Sequence, residues 1–334
     1  MSTEPQLQIR AGSWLAWWAV AAAVFAIAWT ALALASMSSL NGCTAGSRWI
    51  EGLYRADDAA LGRTTPAVMI VGGSGVHFGM SAGALRAAGI PAVNYGTHAG
   101  LGLPFLLDRA LEASRPGDVI LLMPEYEHYR DEGRVDDALL EYAACKGPSL
   151  LKTLPKIELA RRLFTTPAKQ LIQNFFSNDG ATRRYRIGTT DAFGDETINT
   201  PAARRATDLP FIRGQGIVTI PDQPTATAAG TIHRFLEDAG RKKVRVIVAW
   251  PGLYRGAAPP AARIEGLAGF WARSGVPVVG CYEESLLDEP DMFDTVYHAN
   301  TTGARLHAQR LAPYLAAYMR NDLAHASCAS VPPR

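Results

Sequence analysis

The run Val68-Met-Ile-Val-Gly-Gly-Ser-Gly-Val-His-Phe-Gly79 constrains the chain more than any other stretch. A short apolar segment bounded by turn residues reads as a strand buried on both faces, the kind a parallel α/β sheet uses. The closely spaced glycines after it allow a tight turn and the near approach of a ligand. Ser74 then falls just past the strand's carboxyl end, where open α/β sheets keep their ligand sites. A serine there is a candidate nucleophile if a base can reach it. Far downstream, Asp294-Thr-Val-Tyr-His-Ala-Asn-Thr-Thr-Gly303 offers His298 as a base and Asp294 to orient it.

Strand and helix patterns alternate on either side of a long interruption. Strands are expected over 67–71, 92–95, 118–123, 244–249 and 276–279. Helical segments are expected over 80–88, 104–114, 260–274 and 300–320. The last is amphipathic, with Leu306, Leu311, Leu315 and Tyr318 on or near one face, and Asn300 or Thr301 can cap it. Repeated βα units imply a mostly parallel sheet of about five strands with helices on both faces, a three-layer α/β/α domain over 67–320. Residues 125–241 show no clear alternation and read as an insertion, a largely helical and irregular cap. Its Lys152, Lys156, Arg161, Arg162, Lys169, Arg183, Arg184 and Arg186 form either a solvated face or a contact for anionic lipid or an acidic polymer. Residues 321–334 are expected to be a flexible tail.

Trp14 to Ala35 is apolar over about twenty residues, enough to cross a hydrocarbon core as a helix. Arg10 precedes it, and Trp14, Trp17 and Trp18 sit at its start, where aromatic belts form. One alternative is a retained anchor over 13–36, with 1–12 cytoplasmic and 37–66 a linker with a short helix. The other is a signal peptide cut after Ala33-Leu-Ala35. Both export the remainder of the chain. The net charge of +2 gives no reason to expect a nucleic-acid partner. Zinc-finger, Walker A and RNA-binding motifs are absent from the sequence. The cysteines, Cys43, Cys145, Cys281 and Cys328, contain no C-x-x-C pair, so no structural zinc site is expected. An exported chain can join them as disulfides. Sequence does not choose among the pairings; Cys145 with Cys281 is the working expectation, with Cys43 and Cys328 as candidate free thiols.

Three signatures compete at Ser74. Gly72-Gly-Ser-Gly-Val76 lacks the last glycine of the G-x-S-x-G elbow. The dinucleotide fingerprint fails twice: Gly73-Ser-Gly75 is followed by Phe78, and the second strand ends in Asn94 rather than an acid. No cofactor is therefore expected. His77, His98 and His298 follow no familiar ligand spacing, and no metal is expected. The third signature fits: a strand, Gly-Gly-Ser-Gly, and Phe293-Asp-x-x-x-His-x-Asn-x-x-Gly303 near the carboxyl terminus. This combination resembles the SGNH (GDSL-like) hydrolase superfamily. Within it, the chain is most similar to a membrane-anchored, exported branch that includes the alginate-acetylation proteins and the protein of teichoic-acid D-alanylation.

The resemblance covers residues 67–123 and 244–319. It implies a flavodoxin-like SGNH fold, with Ser74 as nucleophile, His298 as base and Asp294 as its acid partner. It also implies that the backbone N–H of Gly100, in Asn94-Tyr-Gly-Thr-His-Ala-Gly100, helps form an oxyanion hole. The usual third-block Gly-x-Asn-Asp is absent and Pro124-Glu-Tyr-Glu127 stands in its place, so Asn94 becomes the candidate side-chain donor. The resemblance further implies acyl transfer or ester hydrolysis on O-acyl groups, chiefly O-acetyl, of an exported polysaccharide or cell-envelope polymer. It places the domain on the periplasmic side of the inner membrane, with a membrane-bound O-acyltransferase as a partner.

The chemistry asked of these residues stands apart from any resemblance. A serine hydroxyl is a poor nucleophile until an imidazole takes its proton, and the imidazole needs a carboxylate to hold its tautomer. The oxyanion needs preorganised N–H donors; a Gly-rich turn supplies them without a Cβ in the way, so the N–H groups of Ser74 and Gly100 are the candidates, with Gly73 and Gly75 as oxyanion or substrate-binding positions. His77 and His98 are candidate pocket walls or hydrogen-bond partners, and Glu125 and Glu127 either line the site and contact substrate or serve as capping or surface charges. Trp250 and Tyr254 either stack on a sugar or pack in the core. The alternative function is a scaffold or partner protein with a decayed triad in an envelope-polymer complex.

Overall fold

The structure is a computed structural model that describes residues 5–38, 45–133, 135–146 and 188–328, with a few positions between 154 and 186. The chain divides into two units. The first comprises Met1–Ser47 and Leu140–Thr182. It holds helix α1, Pro5–Ser38, whose segment Ser13–Leu32 is long and apolar enough to cross a membrane. Trp14, Trp17 and Trp18 are exposed on that helix. The basic residues expected between 161 and 184 lie outside the described residues.

The second unit, Arg48–Leu139 with Arg183–Arg334, carries the sheet. Helix α2, Ala45–Gly62, is longer than the short helix expected in the linker, and it buries Trp49, Ile50, Leu53 and Tyr54. Strands β1 (Val68–Gly72), β2 (Ala92–Gly96), β3 (Val119–Leu122) and β4 (Arg245–Val248) pair in parallel in the order β2-β1-β3-β4. Val68 lies opposite both Ala92 and Val119, and Val119 lies opposite Arg245. This order occupies the first four places of the flavodoxin-like arrangement. Direction reverses between β1 and β3, so the carboxyl ends of those two strands flank the switch point where such sheets bind ligands.

The expected fifth strand at 276–279 is reduced to an isolated parallel bridge between Val248 and Val278. Val248 donates to Pro277 O and Val279 donates to Val248 O. Pro277 has no N–H to extend the ladder, and Gly280 turns away with φ +80°. The described sheet therefore has four strands, plus a separate parallel pair, β5 (Leu253–Tyr254) with β6 (Leu286–Leu287).

Helices α3 (Ser74–Gly79), α4 (Ala82–Ala87) and α5 (Leu103–Ala113) follow the first two strands. Later come α6 (Asp137–Lys146), α7 (Asp208–Gly214), α8 (Ala226–Lys242), α9 (Ala261–Arg273), the single turn α10 (Tyr282–Ser285) and α11 (Thr301–Met319). Alternate strand residues face opposite sides. Val68, Ile70, Val119, Leu121 and Ile247 share a core with Leu85 of α4 and with Leu311 and Leu315 of α11. On the other face, α5 and α8 pack on each other, α5 against β1 and α8 against β4. Burying side chains of this size contributes about 1.5–3 kcal/mol each.

The alternation resumes at α8, earlier than the sequence suggested. Ala228, Ile232, Phe235 and Ala239 are its buried stripe. Thr225 Oγ1 accepts the Ala228 N–H at its start, and Lys243 closes it in the left-handed region at φ 60°. The tail is also more ordered than expected through Cys328. Ser327 bridges Gly280, Gly280 N–H donates to Ala326 O, and Cys281 pairs with Cys328 rather than with Cys145. The left-handed Gly280 turn sets Cys281 beside the returning tail. Cys145 is also disulfide-bonded. Removing the Cys281–Cys328 crosslink by a paired serine substitution is expected to lower unfolding free energy by about 2–4 kcal/mol, read by urea denaturation.

His307 of α11 is buried with Nδ1–H donated to Gly79 O at 3.0 Å. Burial, above all else, holds its imidazole down to about 4. The unfolded chain therefore binds the proton first, so stability falls as pH drops from about 6.5 to about 4. The expected loss from this residue is about 3 kcal/mol. It is checked by comparing denaturation of wild type and His307→Gln at both ends of that window; a variant with the same pH slope would contradict it.

Candidate active site

Strand β1 delivers the chain into the Gly72–Gly75 turn at the switch point. A Cβ on Gly73 would lie 2.5 Å from Glu125 Oε1 and 2.6 Å from Ala99 Cα, so only glycine fits there. Helix α3 begins at Ser74, and Gly73 at its N-cap position has no side chain to accept the first N–H groups. Glu125, just beyond β3, performs that task. Its carboxylate accepts Gly73 N–H at 3.0 Å and Gly75 N–H at 2.7 Å. Negative charge at a helix amino end is favourable, and these bonds are charge-assisted. Glu125 thus fixes the turn that presents Ser74.

His298 and Asp294 come from the loop before α11. Met292 and Ala299 form an antiparallel bridge across that loop's base, and Phe293 N–H donates to His298 O at 2.7 Å. Asn300 caps α11 through Oδ1, which accepts the Thr302 and Gly303 N–H groups, while its Nδ2 donates to Pro290 O and Met292 O. The loop so held places His298 Nδ1 2.7 Å from Asp294 Oδ1, with both residues buried. The four-residue separation therefore closes the pair. The His298 ring also packs on Phe78 of α3 at 4.5 Å between centroids.

Ser74 and His298 line one cavity of about 550 Å³, together with Gly100, Glu125, Glu127, His128 and Tyr297. Among the described residues, neither Ser74 Oγ nor His298 Nε2 has a hydrogen-bond partner. Nε2 is therefore the nitrogen left for a serine proton. The Ser74 N–H is likewise uncommitted among the described residues. Tyr297 donates its hydroxyl to Glu127 Oε2 at 2.7 Å and accepts the Tyr126 N–H. Burial first, then the Glu127 carboxylate, pushes that phenol well above its ordinary range, so it stays protonated.

Several expected roles are corrected by the geometry. Gly100 lines the cavity, but its N–H is donated to His98 Nδ1 at 3.0 Å, which removes it as a ready oxyanion donor. Burial, above all, lowers the His98 pKa; Asp136 opposes the shift and the charge of His298 adds to it. Asn94 is fully buried beneath α3, and its Nδ2 reaches the carbonyls of Val76, His77 and Met80, so it caps that helix instead of facing the cavity. His77 points to the other side of α3, where it meets Glu196 Oε2 at 3.2 Å and lines a separate cavity of about 490 Å³. Trp250 is buried, edge-on to Tyr282, and does not line the Ser74 cavity. Gly73 and Gly75 flank Ser74, but both N–H groups are donated to Glu125, so neither is a ready oxyanion donor; Glu125 itself lines the cavity.

Tyr297, His128, Asp131, Asp136 and Gln215, which line the cavity, and Phe78, which packs on the His298 ring, are not singled out by the sequence. Tyr297 and Phe78 had a signal, each lying beside a singled-out residue in sequence. His128 follows Glu125 by three residues in the same short 3-10 turn. Asp131, Asp136 and Gln215 reach the cavity only through the chain's path. Among the described residues, no group of three or more histidine, cysteine or acidic side chains is placed to hold a metal ion. No protein-family model, curated protein or solved structure matches the chain.

Proposed function

We propose that this chain is a membrane-anchored serine acyltransferase or esterase of SGNH type, acting outside the cytoplasmic membrane on O-acyl groups of a polysaccharide or other envelope polymer. The observation that carries the reading is that His298, held 2.7 Å from Asp294, lines the same cavity as Ser74. Ser74 Oγ attacks the acyl carbonyl while His298 Nε2 takes its proton. Asp294 holds the proton on Nδ1 and stabilises the imidazolium. The oxyanion meets the Ser74 N–H. Collapse breaks the ester C–O bond, His298 returns the proton to the departing alcohol, and an acyl-serine remains. Water or a carbohydrate hydroxyl then repeats the sequence in reverse. The apolar α1 helix supports membrane attachment, and the Cys281–Cys328 disulfide supports an oxidising, periplasm-like compartment. A membrane-bound O-acyltransferase is a fitting partner for such a domain.

A fluorophosphonate probe tests the reading. It is expected to label wild type at Ser74, with labelling lost in His298→Ala; unlabelled Ser74 in a folded chain counts against the proposal. A second reading has its own support. Gly100 has given its N–H to His98, and Glu125 stands where the superfamily places an asparagine donor. These features suit a non-catalytic partner in an envelope-polymer complex, which predicts no labelling.

A further inference from the structure

We infer that the Ser74 cavity selects against anionic substrates, so that the ester it takes carries no negative charge beside the acyl group. The inference rests on the serine-dependent reading above and narrows its substrate class. Four carboxylates line the cavity, those of Glu125, Glu127, Asp131 and Asp136. No lysine or arginine lines it among the described residues. Each carboxylate accepts at least one hydrogen bond. Glu125 takes the Gly73 and Gly75 N–H groups, and Glu127 takes the Tyr297 hydroxyl. Asp131 takes the Gly133 N–H at 2.7 Å, and Asp136 takes the Ala138 N–H at 3.1 Å.

These donors are neutral, so they hold the charges without cancelling them. Among the described residues, the nearby groups able to offset them are His298, His98, which interacts with Asp136 and Glu125, and His128. The His128 Nδ1 lies 3.3 Å from Glu125 Oε2 at an angle that makes no hydrogen bond. The cavity therefore concentrates negative potential, and a cleft of one sign repels ligands of that sign. A uronate or phosphodiester segment would bring its own anions against these four groups. A segment of uncharged sugar would not, and an ammonium-bearing one would be drawn in. Asp131 and Asp136 lie outside the serine turn, so we assign the selection chiefly to them.

The test uses the full chain in a nonionic detergent. Turnover of neutral 4-nitrophenyl acetate is compared with that of the anionic mono-4-nitrophenyl succinate, each corrected for its rate with hydroxide. At low salt the corrected kcat/KM of the anion is expected to be lower on the order of tenfold. The gap should narrow at about 0.5 M salt and in Asp131→Asn/Asp136→Asn. Equal corrected values at low salt, or a gap untouched by the double variant, would overturn the inference.

If neither ester is turned over through Ser74, the acyl-transfer reading fails by itself, and the charge inference is decided by a second measurement. Cationic and anionic nitroxides are added, and paramagnetic relaxation of the Gly100 and Tyr297 amides is compared. Stronger relaxation by the cation, with the difference shrinking in the double variant, supports the inference. Equal relaxation, or stronger relaxation by the anion, overturns it.

Discussion

Ser74→Ala is expected to lower kcat on an activated ester by about 10⁴-fold or more, and His298→Ala by a similar factor. The two share one proton-transfer event, so combining them should cost no more than either alone. Asp294→Asn tests the same unit from behind. It keeps the shape of the 2.7 Å contact but leaves His298 in the wrong tautomer, and a loss of about 10⁴-fold is expected. Steady-state kinetics with 4-nitrophenyl acetate on purified full-length protein measures all four variants. A Ser74→Ala protein within tenfold of wild type would end the serine mechanism. Losses that multiply in the double variant would show that the two side chains do not act together.

The largest effect on stability is expected from Trp271→Ala. Trp271 of α9 is completely buried, and its indole N–H donates to the Tyr129 hydroxyl at 2.9 Å. Deleting a buried tryptophan costs about 3–5 kcal/mol. The stranded, buried tyrosine hydroxyl adds about 1–3 kcal/mol. Tyr129 lies in the same 3-10 turn as Glu127 and His128, and its carbonyl accepts the Thr225 N–H ahead of α8. The damage should therefore reach the cavity wall as well as the core. Trp271→Phe restores most of the buried volume without the donor, and an intermediate loss of about 1–2 kcal/mol is expected. Urea denaturation followed by circular dichroism checks both values. An alanine variant within 1 kcal/mol of wild type would mean that this face of the sheet does not depend on the indole.

How much of this was legible in the sequence depended on whether a feature was local. The β1 run and its turn were readable because fully buried parallel strands are written as unbroken apolar runs, and the glycines mark where the backbone must pass closely. The Asp294–His298 pair was readable for the same reason, since a short loop brings both residues together. The capping role of Asn300 followed from its place before a helical pattern. Contacts between distant segments were not readable. Nothing near Asn94 shows that its amide serves the end of α3. Glu125 was suspected from its place after β3. Its role as the cap that α3 lacks requires knowing that β1 and β3 are neighbours. The fifth strand ends where Pro277 lacks an N–H for the ladder and Gly280 turns the chain away.

Asp294 and His298 both lie inside the 47-residue interval that Cys281–Cys328 closes. The base of the proposed mechanism thus sits on a covalent ring whose neck lies three residues past the Val248–Val278 bridge, whereas Ser74 opens α3 just past β1. In any partial opening of the carboxyl-terminal region, the ring keeps Asp294 and His298 on one tether, while only packing joins that ring to the Ser74 turn.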